Sequence, residues 1–382
     1  MKKLIWLCLI SFLMLYCKPT KEEIEKYTED GVEVVVNHLE PYKLTSEPTH
    51  LYLEEQLTID TENENIVETG LTNIFYFDVD SDGNIYFLND RSQENFILKF
   101  DRNGNLVTAF GRMGQGPGEL QGPILPVITS QGEVFIMDTG QRKLCYFTKE
   151  GDFIKNIPQE GSTIALFPLE NGNYLSVSAV FDPESDYIMQ YPFSLFSSDF
   201  KQIKELDSVK FPNYLKGKKQ KAINTGFLFS ITKRNIYIGN EERGYEISVY
   251  DLDGNLLRKI RKDYRKVRIP EEYIEEHSEG MSDLWKQRTY FPEYFPPFQC
   301  AFVDDKGRLF VITNEKGNRP GEYICDIFNP EGIFIARAGM TGIVDTPPQI
   351  YLPPIARKDL LYCIEEKESG YKKFVVYKMK WQ

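Results

Sequence analysis

The chain has 382 residues, 41% of them hydrophobic and 27% charged, with 45 basic against 57 acidic side chains. This composition can bury a large core and lies outside the low-hydrophobicity regime of disordered chains. A net charge of −12 excludes a general nucleic-acid binder, which needs a basic face to displace counterions, and three histidines (His38, His50, His277) starve any histidine-rich metal site.

In chain order, Lys2 and Lys3 precede a thirteen-residue apolar run, residues 4–16, which ends at Cys17-Lys18-Pro19. A membrane-spanning helix needs about 20 residues, so the run has signal-peptide length instead. The chain then turns polar (KPTKEEIEKYTEDG). This arrangement resembles a bacterial lipoprotein signal. The resemblance implies removal of residues 1–16, lipid attachment at Cys17 and a place in the cell envelope. Lys18, rather than Asp, after the cysteine implies the outer membrane over the inner. Residues 17–48 then read as an acidic tether lifting the body off the membrane, with room for one extra strand at Val32-Glu33-Val34-Val35-Val36.

The body is repetitive. Residues 77–111 hold four apolar stretches separated by an Asp-Gly turn, a polar loop and an Asn-Gly turn. The layout returns at 127–157, in stretched form at 165–206, and again at 229–260 and 300–339. A truncated copy with three stretches covers 355–380. Each stretch is short, rich in Ile, Val, Phe and Tyr, and bounded by Gly, Asn or Asp, which is strand chemistry. Asn-Gly and Asp-Gly pairs supply the positive φ that tight hairpins demand. Repeated four-stranded units predict an all-β fold, a six-bladed β-propeller spanning 49–382. The truncated copy lacks a fourth strand. Residues 50–59 (HLYLEEQLTI) precede the first copy and are the predicted donor that closes the ring.

The segment MDTGQRKLCYF (residues 137–147) is similar to the NHL repeat, in which an Asp, a short turn and an Arg lead into an apolar strand. FGRMGQGPGELQGP (110–123) is similar to the Gly-rich blade connection of bacterial six-bladed NHL-like propellers, many of them lipoproteins. The resemblance implies a binding platform more than an enzyme.

In such blades the first-to-second and third-to-fourth turns lie on one face of the disc. The second-to-third loops and the blade crossings lie on the other. Here the first set is minimal throughout (SDGN, RNGN, KEGD, LDGN), whereas every insertion falls in the second, including the crossings at 206–226 and 258–299. Loops longer than about 12 residues in a compact domain are commonly functional, so the ligand face is expected on the elaborated side. Arg91, Arg142, Arg243 and Arg319 each fall in a second-to-third loop. They would either ring the channel mouth and take an anionic ligand or pair with acidic neighbours to fix blade spacing, and the second reading is preferred. The 258–299 crossing opens on RKIRKDYRKVR, seven basic residues in eleven, read as a solvated strand edge in preference to a contact with an anionic surface. It closes on the aromatic, proline-stiffened YFPEYFPPF. There Tyr290, Tyr294 and Phe295 would grip a glycan or partner protein, or pack as a lid.

Asp78, Asp80 and Asp82 alternate before Gly83 like the start of a calcium loop, but Asn89 stands where a terminal Glu is required, so a plain hairpin turn is favoured. GRMGQGPGEL lacks the Lys-Ser/Thr of a phosphate loop, and neither GxSxG nor HExxH occurs. No cofactor is expected. Cys145, Cys300, Cys325 and Cys363 lie in apolar strands, which favours buried thiols over disulfides, although pairing stays open. Three functions remain: a lipid-anchored, non-catalytic binding module; a lactonase-like hydrolase using carboxylates or a divalent cation at the channel; or a structural part of an envelope complex.

Overall fold

The computed structural model describes residues 24–89, 94–159, 163–223, 226–341, 353–367 and 369–382. Six antiparallel sheets stand around an axis. Blade 1 comprises Tyr76–Val79, Ile85–Leu88, Ile97–Phe100 and Leu106–Phe110. Blade 2 is Pro123–Ile128, Val134–Asp138, Lys143–Phe147 and Phe153–Pro158. Blade 3 is Thr163–Pro168, Tyr174–Ser178, Tyr187–Phe196 and Gln202–Pro212, with the short Val180–Phe181 paired to its third strand. Blade 4 is Phe227–Ile231, Asn235–Asn240, Glu246–Asp251 and Leu256–Lys262, and blade 5 is Cys300–Val303, Leu309–Lys316, Tyr323–Phe328 and Phe334–Met340. Blade 6 takes Ile355–Arg357, Leu360–Glu366 and Lys372–Trp381 from the C-terminus and Leu51–Asp60 as its fourth strand. That closure pairs Leu51 with Trp381 and Asp60 with Lys373, as the truncated last repeat requires.

The middle strands explain why the repeats read as unbroken apolar runs rather than alternating ones. Ile85–Leu88, Ile97–Phe100, Val134–Asp138 and Lys143–Phe147 are buried at every position, because each blade is packed by a neighbour on both faces. Outer strands such as Phe153–Pro158 are largely exposed.

One turn recurs on the plain face. Asp80, Asp101, Thr148, Asp251, Asp304 and Asn329 each accept backbone N–H groups from the residues two and four positions on. Three positions after each stands a glycine at positive φ, Gly83 (85°) and Gly104 (84°) among them. The side chain replaces a missing ladder partner and the glycine supplies the reversal.

The N-terminal segment departs from expectation. Residues 24–48, read as tether with one extra strand, instead form a hairpin and a strap. Glu25–Glu29 and Val32–Asn37 are joined by Asp30-Gly31, both at positive φ, and the second strand adds in parallel to the rim of blade 4. Val34 and Val35 are fully buried, which is why this apolar triplet sits in so acidic a stretch. Asn37, also fully buried, donates to Arg261 O (3.1 Å) and Gly332 O (3.0 Å) and accepts from Phe334 N–H (2.8 Å). The Tyr42 N–H then reaches Phe334 O, and Asn329 donates to Glu47, so the strap fastens blade 4 to blade 5 before the closing strand begins.

The four cysteines of the body are free and buried. Burial pushes the Cys145 thiol up to about 11 and that of Cys300 to about 12.

Candidate functional site

The first strand of each blade borders the central channel. Among the described residues these six strands carry two charged side chains, Asp78 and Arg357. They meet across blades 1 and 6 at 3.4 Å. Asp78 also accepts Val79 N–H (2.7 Å) and Ile128 N–H (2.7 Å), so one carboxylate staples three consecutive blades. Burial raises its pKa against the pull of Arg357 and the two amides. Much of the remaining lining is apolar. Phe227 and Phe229 pack on Phe193 at 4.3 and 5.4 Å between ring centroids, and Phe167 on Phe229 at 5.2 Å.

The calcium-like aspartates therefore have separate duties. Asp78 holds blades together, Asp80 caps a turn and also accepts Tyr86 Oη–H (3.2 Å), and Asp82 lies exposed 3.5 Å from Lys149. Among the described residues no three His, Cys, Asp or Glu side chains are grouped to hold a metal.

The elaborated side is built by three excursions that join over blades 3 and 4. The first, 179–186, is shorter than the sequence suggested because the third strand already begins at Tyr187. The second, 213–226, starts later than expected because the outer strand of blade 3 runs on to Pro212. Asn213 ties the two, donating to Pro183 O and Ser185 O (2.8 Å each) while its own N–H meets Asp186 O. The third, 263–299, holds helices Glu271–Ser278 and Asp283–Arg288. It joins the second through a parallel bridge, Gln220–Lys221 beside Thr289–Tyr290. Tyr214 meets Trp285 edge-on (5.9 Å), and Arg288 lies over the Tyr214 ring at 4.5 Å. The result is a canopy with an apolar crest: Phe181 is 61% exposed, Leu215 58%, Leu284 52% and Trp285 46%.

The residues proposed from sequence are divided by this arrangement. Tyr290 sits in the bridge and is exposed; Tyr294, beneath the Lys266 ammonium (5.6 Å), is exposed too. Phe295 turns inward against Tyr273 (5.0 Å), the lid-like alternative. Arg243 binds Asp207 (2.5 Å) and Glu246 (3.3 Å), and Arg319 grips Glu322 (2.6 Å). These two pair with acidic side chains instead of ringing the channel mouth. Second-to-third loops lie at least one strand spacing, about 5 Å, outside the inner strand, and Arg243 points farther out, to the rim strand of blade 3. Arg142 stands exposed at φ 51°, its carbonyl accepting Gln159 N–H. Arg91 lies outside the described residues.

The basic run is also resolved. Its first five residues lie in the rim strand of blade 4, and much of its charge is met by the N-terminal hairpin and strap and by blade 5. Arg258 pairs with Glu33 (2.5 Å), Lys259 and Arg261 with Glu29 (2.6 and 2.7 Å), and Arg265 with Glu40 (2.8 Å). Lys262 is buried against Asp326 (3.3 Å), which also accepts Tyr245 Oη–H and Arg337 Nε–H. The composition of the run had pointed outward to solvent, whereas the partners of Arg258, Lys259, Arg261 and Arg265 in the N-terminal segment lie 225 to 232 positions earlier in the chain.

The family model of DUF5128, described as a 6-bladed beta-propeller, matches residues 57–262. The chain belongs to that family. No curated protein sequence matches it. Among solved structures, a protein described as exported from Bacteroides fragilis is similar at 14% identity and TM-score 0.50, covering 91% of this chain and 99% of that one. A DUF4221 member from Bacteroides vulgatus is similar at 14% identity and TM-score 0.54, covering 88% and 100%. Both likenesses are of fold.

The crest residues Phe181, Leu215, Leu284 and Trp285 were missed. Loop length flagged the segments that carry them, but only pairing between excursions brings those segments to one side of the disc.

Proposed function

We propose that the protein is an exported, lipid-anchored envelope propeller of the NHL-like type that binds a partner protein, glycan or anionic ligand through its elaborated face, without catalysis. The observation carrying this reading is the canopy: three insertions from separate parts of the chain converge on one side and leave aromatic and aliphatic side chains exposed there. Exposed apolar patches of this kind mark interaction sites. Binding is favoured over lactonase-like hydrolysis because the carboxylate on the inner strands, Asp78, is already committed to two amides and a guanidinium.

Export is supported by the apolar run before Cys17 and by the relative described as exported. Lys18 after Cys17 supports the outer membrane. The hairpin begins at the end of the blade 4 rim strand that leads into the 263–299 excursion. Ile24 lies seven positions after Cys17, a reach of about 25 Å at full extension, so the anchor would keep the elaborated rim close to the bilayer.

The test is a thermal-shift panel of divalent cations, acidic sugars and cell-wall fragments on the wild type, Trp285→Ala and Arg357→Ala. A specific ligand at a hundredfold excess over its Kd stabilises by about 2.7 kcal/mol. The expected result is a shift lost in Trp285→Ala and kept in Arg357→Ala. The opposite pattern would move the site to the channel and overturn the reading.

A further inference from the structure

We infer that the partner covering the canopy is a second copy of this chain, docked about a twofold axis through the crest; this rests on the reading of the canopy as the recognition surface and names its occupant.

The argument begins with charge order. Residues 271–283 carry six carboxylates and no Lys or Arg, whereas residues 210–221 carry five lysines and no carboxylate. Leu284 and Trp285 follow the acidic residues directly, Leu215 stands within the lysine segment, and the Tyr214–Trp285 contact joins the two. The acidic helix Glu271–Ser278 leads directly into Asp283–Arg288, which bears Leu284 and Trp285, and Tyr273 seats it on Phe295. On the other flank, the lysine segment is fixed to the same helix by Tyr214 against Trp285 and by the 220–221 bridge.

Part of the charge is neutralised within the chain. Lys218 pairs with Asp186 (2.9 Å), Lys221 with Glu241 (2.7 Å), and Lys216 donates to Glu184 O. Among the described residues, Glu271, Glu272, Glu275, Glu276, Lys219 and Lys286 have no ion-pair partner within 4 Å.

An acidic flank, an apolar crest and a basic flank form a self-complementary surface. Rotation by 180° about the crest sets the acidic flank of each copy against the basic flank of the other, and Trp285 and Leu284 meet at the centre. Apolar anchors inside a charged rim are the anatomy of a protein interface. An anionic bilayer fits less well, because the carboxylates of 271–283 would face it and be repelled.

The experiment uses the full chain with Leu284→Cys, cross-linked by a short bismaleimide in isolated membranes. The unmodified chain sets the background, and Asn103→Cys, on a plain-face turn, is the positional control. Leu284→Cys should give a cross-linked dimer and Asn103→Cys should not. Added to that chain, Lys219→Glu with Lys286→Glu, or Glu275→Lys with Glu276→Lys, should each cut the dimer about tenfold, and co-expression of the two reversed chains should restore it. Equal cross-linking at positions 284 and 103, or a dimer indifferent to both reversals, overturns the inference. A chain that stays monomeric yet is retained by phosphatidylglycerol vesicles assigns the crest to lipid instead. A monomer whose ligand-induced thermal shift disappears in Trp285→Ala refutes self-association alone and leaves the recognition surface standing.

Discussion

Replacing Asn37 tests whether the N-terminal strap is part of the fold or an appendage resting on it. The side chain is fully buried and makes three hydrogen bonds, two donated to carbonyls on different blades (Arg261 O and Gly332 O) and one accepted from Phe334 N–H. A buried hydrogen bond contributes about 1 kcal/mol net, and a partner left dry and unpaired costs more. Asn37→Ala should therefore cost about 3 kcal/mol. Asn37→Asp keeps the shape but cannot donate to either carbonyl, so it should cost at least as much as alanine. The assay is urea denaturation combined with native-state hydrogen exchange over residues 25–37 and 334–340. Protection in the hairpin should fall by about two orders of magnitude if the strap opens locally. A loss under about 1 kcal/mol with unchanged protection, or an aspartate milder than alanine, would refute the reasoning.

Three further outcomes are expected. Lys259 and Arg261 hold the Glu29 carboxyl below its usual value, and Arg258 and Lys26 do so for Glu33 against its partial burial. Carboxylates lowered in the folded state stabilise above their unfolded value, about 4.5, and cease to do so as pH falls through the folded one. Hairpin protection, corrected for intrinsic exchange, should thus be complete at neutral pH and weaken below about pH 4.5; weakening between pH 5 and 7 would contradict the ion-pair assignment. Peptide mapping after maleimide treatment should find Cys145, Cys300, Cys325 and Cys363 unlabelled in the native protein and all four labelled in denaturant, since burial keeps each thiol protonated. Asp326→Asn should cost about 3–5 kcal/mol by stranding buried Lys262. Adding Lys262→Met removes the stranded ammonium, while the new amide keeps an acceptor oxygen for Tyr245 and Arg337, and should recover part of the loss, measured by urea denaturation. A single variant as stable as the wild type would show that water reaches the pair.

The plain face was legible residue by residue. A turn such as DSDGN is decided within five positions by one side chain that caps amides and one glycine that accepts positive φ, and repetition around the ring confirmed each instance. The same local grammar read the Asp80 segment as a hairpin turn, and Asp80 caps that turn. The closing strand was legible by subtraction, since the last repeat lacked one strand and the chain held one spare.

The recognition surface was legible only as loop length. Its chemistry depends on pairs such as Arg243 with Asp207, Trp285 with Tyr214, and Glu33 with Arg258, which lie far apart along the chain. The packing of residues 24–48 was hidden for the same reason: acidic residues 25–40 look solvated until the basic rim of blade 4 is placed beside them. Strand and turn preferences are short-range dihedral and burial effects, so amino-acid order alone determined the wheel, its blade number and its closure. Which charges meet, and which aromatic side chains stay uncovered, follows from how blades and excursions pack, and tertiary structure alone decided that.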